Sequence, residues 1–144
     1  MKRPIIILMT IVLSLAADDK KVTDLFGKSK AHGSQFPGEY VGIYIDDGNK
    51  IKYGLQIFAL GGGKFRAVGY NGGLPGAGFE KGGKIEVVEG KLGKSRNGER
   101  IIFQNDDEEA IADLRNGKLT AHEAGALIAK LKKIERKNPV VEKH

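Results

Sequence analysis

Residues 53–79 read YGLQIFALGGGKFRAVGYNGGLPGAGF, and the fold turns on how this stretch is parsed. Tyr53, Leu55, Ile57 and Ala59 share one side at period two, and Phe65 and Ala67 do the same beyond the glycines. Alternation of this kind marks half-buried strands, so the two runs make a β-hairpin about Leu60-Gly61-Gly62-Gly63. A loop rich in glycine and proline, residues 71–78, then leaves the sheet.

The same pattern extends to both sides. Residues 39–45 alternate Val41, Ile43 and Ile45 against Tyr40, Gly42 and Tyr44, and run into Asp46-Asp47-Gly48-Asn49, a turn with Asp-Gly at its centre. Beyond the loop, strands are expected at 85–88, 100–104, 110–114 and 118–123. Turns fall near Gly90, at Asn97-Gly98, in the acidic stretch 105–108 and at Asn116-Gly117. Residues 126–137 admit two readings. Leu127, Ile128, Leu131 and Ile134 have helical spacing behind the capping-box pattern Thr120-Ala121-His122-Glu123, whereas Gly125 suits a turn and Ala126, Ile128 and Ile134 share a strand face. Strands recurring every 8 to 12 residues or so predict an all-β antiparallel meander of about seven to eight short strands, closing into a small barrel or sandwich.

A chain of 144 residues has room for one domain. Its start has the form of a signal peptide, residues 1–17: Lys2 and Arg3, an apolar core, then Ser14-Leu15-Ala16 as the small-x-small cleavage pattern. That core is shorter than the roughly 20 residues a membrane span needs, so a secreted or periplasmic domain is expected, without membrane attachment after cleavage. Residues 18–37 read as an irregular polar lead-in with a short helical turn near 22–26, residues 38–139 as one β domain and 140–144 as a tail. The absence of cysteine excludes disulfides, thiol chemistry, a lipid-modified cysteine and cysteine metal sites. Without the leader, 22 basic residues face 18 acidic ones, a net charge of +4. The basic residues are scattered among acids and tryptophan is absent, which argues against nucleic acid. The densest basic run, 130–137, reads as a solvated strand face rather than a polyanion site.

Several stretches imitate known sites and fail on mechanism. GFEKGGK at 78–84 has phosphate-loop spacing, but Ile85 stands where a magnesium-binding hydroxyl belongs, and a strand rather than a helix follows. Asn116 to Glu123 resembles half of a calcium loop, yet Ala112 and Leu114 occupy the earlier ligand positions. His32, His122 and His144 lack metal spacing, so neither metal nor cofactor is expected. Asp46/Asp47 and Asp106/Asp107 sit in turns, where acids serve local hydrogen bonding. The 71–79 loop is left with two readings: a ligand surface stiffened by Pro75, or a connection whose glycines meet steric needs only.

GEYVG at 38–42, YGLQI at 53–57, ALGGGKFRAV at 59–68, GGLPGAG at 72–78 and LKKIERKNP at 131–139 together resemble the N-terminal β module of bacterial secreted proteins that carry a keto-disaccharide hydrolase-type domain. The resemblance implies that residues 126–137 end the module as a strand. It also implies that hydrolysis belongs to a following jelly-roll domain, which would start where this sequence stops, so that activity is not carried over. Phe79 stands at an aromatic position of the family's loop.

The expected function is therefore a non-enzymatic, exported module that binds a glycan or docks a partner such as a secreted hydrolase. Its candidate ligand-binding residues are Tyr53, Tyr70, Asn71, Gly72, Gly73, Leu74, Pro75, Gly76, Gly78 and Phe79. A small glycan hydrolase using Glu39, Asp46 or Asp106, and a structural envelope protein assembling through strand edges, are the alternatives.

Overall fold

The computed structural model describes residues 32–140; the leader, most of the lead-in and the tail read from the sequence lie outside the described residues. Ten strands follow one another: β1 (Gly38–Asp46), β2 (Asn49–Gly61), β3 (Lys64–Asn71), β4 (Leu74–Pro75), β5 (Gly78–Phe79), β6 (Ile85–Ser95), β7 (Gly98–Asn105), β8 (Glu108–Arg115), β9 (Lys118–Glu123) and β10 (Ala126–Ile134). Eight of them close into an antiparallel barrel in the order β1-β10-β9-β8-β7-β6-β3-β2, and β4 and β5 pair with each other inside the 71–79 loop. The all-β meander expected from the sequence is this barrel, closed by β1 against β10.

Tight turns set the register. Asp47-Gly48, Asn116-Gly117 and Ala124-Gly125 each have positive φ at both residues, the backbone that two-residue hairpins require to match strand twist. Residues 126–137 form no helix. Strand β10 pairs with both β1 and β9, so ladder partners on either side override the helical spacing. A register shift between Leu127 and Ala129 also breaks the simple alternation. Ala129 and Leu131 therefore face the core, while Ile134 packs on the outer wall. Gly90 is not a turn but the middle of β6. A Cβ there would lie 2.7 Å from both the Ile102 carbonyl oxygen and a Phe103 ring carbon, so glycine is what lets β7 pack this closely.

The interior holds Tyr40, Tyr53, Ile57, Phe65, Ile101, Phe103, Leu119 and Leu131. On β1 the tyrosines point inward, and Val41 packs on the outside. One end is stoppered by residues 32–37. Phe36 meets Phe65 edge to face at 5.9 Å, and the Tyr40 hydroxyl donates to the Phe36 carbonyl at 2.6 Å. Glu99 on β7 holds the stopper by accepting from Gly33 N, Gln35 Nε2 and His32 Nδ1 at 2.9, 3.2 and 3.1 Å. Lys133 Nζ adds a bond to the Gln35 carbonyl at 2.7 Å.

Candidate functional site

The 71–79 loop does not stand clear of the barrel; it folds back over the outer face of β1, β2 and β3. Gly54 makes this possible, because a Cβ there would lie 2.5 Å from the Leu74 amide nitrogen. Leu74 and Pro75 are fully buried against the wall, and Phe79 packs edge to face on Tyr70 at 5.1 Å. Backbone bonds from Gly72 N to the Lys52 carbonyl (2.7 Å) and from Ala77 N to the Leu74 carbonyl (2.8 Å) tie it down.

Beneath the loop lies a polar chain with its bonds made internally. Tyr70 donates to Gln56 Oε1 at 2.8 Å, and Gln56 Nε2 donates to Glu39 Oε2 at 2.7 Å and to the Val140 carbonyl at 2.8 Å. The Gln56 amide, fully buried, thus has both its donor and its acceptor engaged. Arg136 grips Glu39 with Nε at 2.7 Å and Nη2 at 2.6 Å, and gives Nη1 to the Pro75 carbonyl at 2.7 Å. Glu39, weighed in the sequence as a catalytic carboxylate, is the counter-ion of this fork. The fork raises the Arg136 pKa above its ordinary value, first through the hydrogen bonds that the guanidinium donates to Glu39.

The other end of the barrel is open. A cavity of about 150 Å³ runs inward from a mouth at the turns joining β1–β2, β7–β8 and β9–β10. An eight-stranded barrel is just wide enough for side chains to fill it or for one small ligand. Here small inward residues leave the room: Ala67, Gly69, Ala110, Ala112, Ala121 and Ala129. Gly69 is required, since a Cβ there would collide with the Tyr53 hydroxyl. Tyr44 and Tyr53 stack at 4.9 Å on one side of the mouth, and Tyr53 donates to Glu86 Oε1 at 3.3 Å. Burial, then the Glu86 carboxylate, pushes the Tyr53 hydroxyl well above the usual phenol range.

The rest of the rim is polar. Glu86, Asn105, Glu108 and Glu123 are the outermost cavity-lining positions of β6, β7, β8 and β9. Burial raises the Glu123 pKa, and the adjacent Glu108 carboxylate raises it further. The mouth is therefore an apolar slot edged by stacked phenols, an amide and carboxylates that crowd one another.

Of the residues singled out in the sequence, Tyr53 lies in this cavity. Tyr70, Gly73, Leu74 and Pro75 are buried on the opposite face of the wall; Asn71, Gly72 and Phe79 are half-buried there, and Gly76 and Gly78 are exposed at the loop's tip. Tyr53 and Tyr70 are thus on two sides of one sheet. Asp46 ends β1 and Asp106 sits in the β7–β8 turn, both at the mouth end. Not among the candidate site residues of the sequence are Tyr44, Glu86, Asn105, Glu108 and Glu123. Their signal was the alternation itself: Glu108-x-Ala110-x-Ala112-x-Leu114 and Leu119-x-Ala121-x-Glu123 each run from core to rim through small residues. Among the described residues no group of three or more histidine, aspartate or glutamate side chains is placed to hold a metal ion. No family model, curated protein or solved structure matches this chain.

Proposed function

We propose that this chain is an exported, non-enzymatic binding module whose site is the open mouth of the barrel. The observation that carries the reading is the 150 Å³ apolar cavity opening between the Tyr44–Tyr53 stack and the rim carboxylates. An apolar cavity of about this volume takes a guest the size of a benzene ring. The ligand that suits it has one ring or a short aliphatic chain, which enters the slot, and an amine or hydroxyl group, which meets the rim. Phenol faces favour a cation, and carboxylates accept from either group. A second reading is the terminal sugar of a glycan held at the rim, favoured by the Asn105 amide and the Tyr44 phenol lining one cavity and by the carbohydrate setting that the sequence resemblance implies.

Thermal unfolding and NMR titration of the chain with benzylamine, benzyl alcohol and neutral oligosaccharides test this. A ligand that binds only the folded state stabilises it by about 2.7 kcal/mol at a hundred times its dissociation constant. The expected result is a saturable shift with a ring-bearing probe, lost in Ala121→Leu, which fills the slot while leaving the outer wall untouched. A shift that survives the filled slot, or no response to any probe, overturns the reading. A response to oligosaccharides alone selects the glycan.

A further inference from the structure

The strand register assembles charges that the linear sequence scatters. Arg115 on β8 lies opposite Lys118 on β9, Lys118 lies opposite Lys132 on β10, and Lys132 lies opposite Val41 on β1. In the next outward-facing row, Lys130 lies opposite Ile43, and Ile43 lies opposite Lys52 on β2. All five cations are exposed, and none makes an ion pair with another described residue. Adjacent strands are about 4.8 Å apart, so Arg115, Lys118 and Lys132 form a like-charged row about 10 Å across. Like charges directly opposite each other on neighbouring strands destabilise a sheet. The barrel therefore carries an electrostatic cost that an anionic partner would remove.

We infer that this wall docks on the surface of an anionic lipid bilayer. Charge complementarity sets the sign of the partner, and the make-up of the wall sets its kind. The wall offers point charges on flexible aliphatic stems around half-buried Val41 and Ile43, while Tyr40, Tyr44 and Tyr53 turn inward. Among the described residues, no aromatic ring stands in these two rows for bases or sugars to stack on. Lysines of this kind lay their stems on an interface and leave the ammonium among headgroups. The cationic row lies toward the stoppered end, so a docked barrel directs its mouth away from the bilayer. This inference is independent of what the mouth binds.

The test is co-sedimentation of the full chain with vesicles of phosphatidylglycerol in phosphatidylcholine and with vesicles of phosphatidylcholine alone. Each lysine near an anionic surface is worth about fivefold in partitioning at physiological ionic strength. The variant K118Q/K130Q/K132Q should lose about a hundredfold on anionic vesicles, and K118Q alone about fivefold. K81Q/K91Q/K94Q, with the same change in net charge on other parts of the barrel, should bind like the parent chain. Binding should weaken as salt is raised, through screening. A melting temperature no lower than the parent's shows that the triple variant remains folded, and relief of the like-charged row should raise it slightly. Equal partitioning onto neutral vesicles, equal losses in the two triple variants, or binding to dextran sulfate without binding to anionic vesicles would each overturn the proposal.

Discussion

Replacing Arg136 by methionine keeps the aliphatic stem and removes the fork that holds Glu39 under the 71–79 loop. Glu39 then keeps only the Gln56 amide as partner, although its side chain is 3% exposed. Removing one member of a buried ion pair costs about 3–5 kcal/mol, because the remaining charge stays desolvated. Arg136 retains 17% exposure, so water can reach the vacated position and the lower end applies, about 3 kcal/mol. A domain of about 110 residues unfolds with an entropy near 0.23 kcal/mol/K, so the melting temperature should fall by about 13 °C. The assay is thermal unfolding at neutral pH, with amide exchange at Gly72 and Ala77 reporting the loop. Adding Glu39→Gln should recover much of the loss, since no buried charge is then unpaired. Arg136→Lys should fall between, because an ammonium cannot fork onto a carboxylate. A fall of less than about 4 °C in Arg136→Met, the equivalent of about 1 kcal/mol, would refute the claim that this pair is desolvated.

Gly54→Ala should lift the loop from the wall and cost about 1–3 kcal/mol by overpacking, with faster exchange at Gly72 N than in the parent. Phe36→Ala should cost about 3–5 kcal/mol in thermal unfolding, since a fully buried ring and its edge-to-face contact are lost together. Ala124 has φ of 51° without the excuse of glycine, so Ala124→Asn should raise stability by about 1 kcal/mol. Two glutamates give opposite pH dependences. Hydrogen bonds from Gln35, Gly33 N and His32 hold Glu99 below its ordinary 4.5, so its contribution is present above that pH and is lost as pH falls through the folded value. Glu123 is displaced upward, so its ionisation in the folded state erodes stability as pH rises from 4.5 through its folded value. Glu99→Gln should flatten the acid limb of the stability profile and Glu123→Gln the decline above pH 4.5; profiles unchanged in either variant would contradict the assignment.

How much of this was legible in the sequence depended on whether the signal was local. Asp47-Gly48 and Asn116-Gly117 state their own φ angles, so most hairpins and the meander could be read directly. Gly90 could not, because its reason lies in Phe103 and Ile102 across the ladder, and a lone glycine reads equally as a turn. The helical spacing near Leu127 is real, but strand pairing on both sides decides against it. For the site, Tyr53 carried no mark of which face it would take. Its separation from Tyr70 follows from odd and even positions on paired strands once the core side is known. The loop's glycines announced an unusual backbone but not its cause, which is the Gly54 backbone pressed against Leu74. The rim carboxylates were passed over because acids at strand ends look like turn residues until closure of the barrel brings four strand ends around one opening.

The seam between β1 and β10 sets the order in which the molecule can assemble. Glu39 meets Ile134 across it, so the closing ladder joins the first strand to the last, and Arg136 clamps Glu39 just beyond. Every other ladder joins strands that are close in the chain, apart from the β3–β6 step over the loop. Hairpins can therefore form one after another during synthesis, while the sheet stays open with two unpaired edges until β10 emerges. Folding speed is then governed by one long loop closure, which makes the barrel a slow folder for its size. Moving the chain break from this seam to the β6–β7 turn should make the β1–β10 pairing local and pass the last, distant closure to β6 and β7, changing the order of assembly while the finished barrel keeps its strand order.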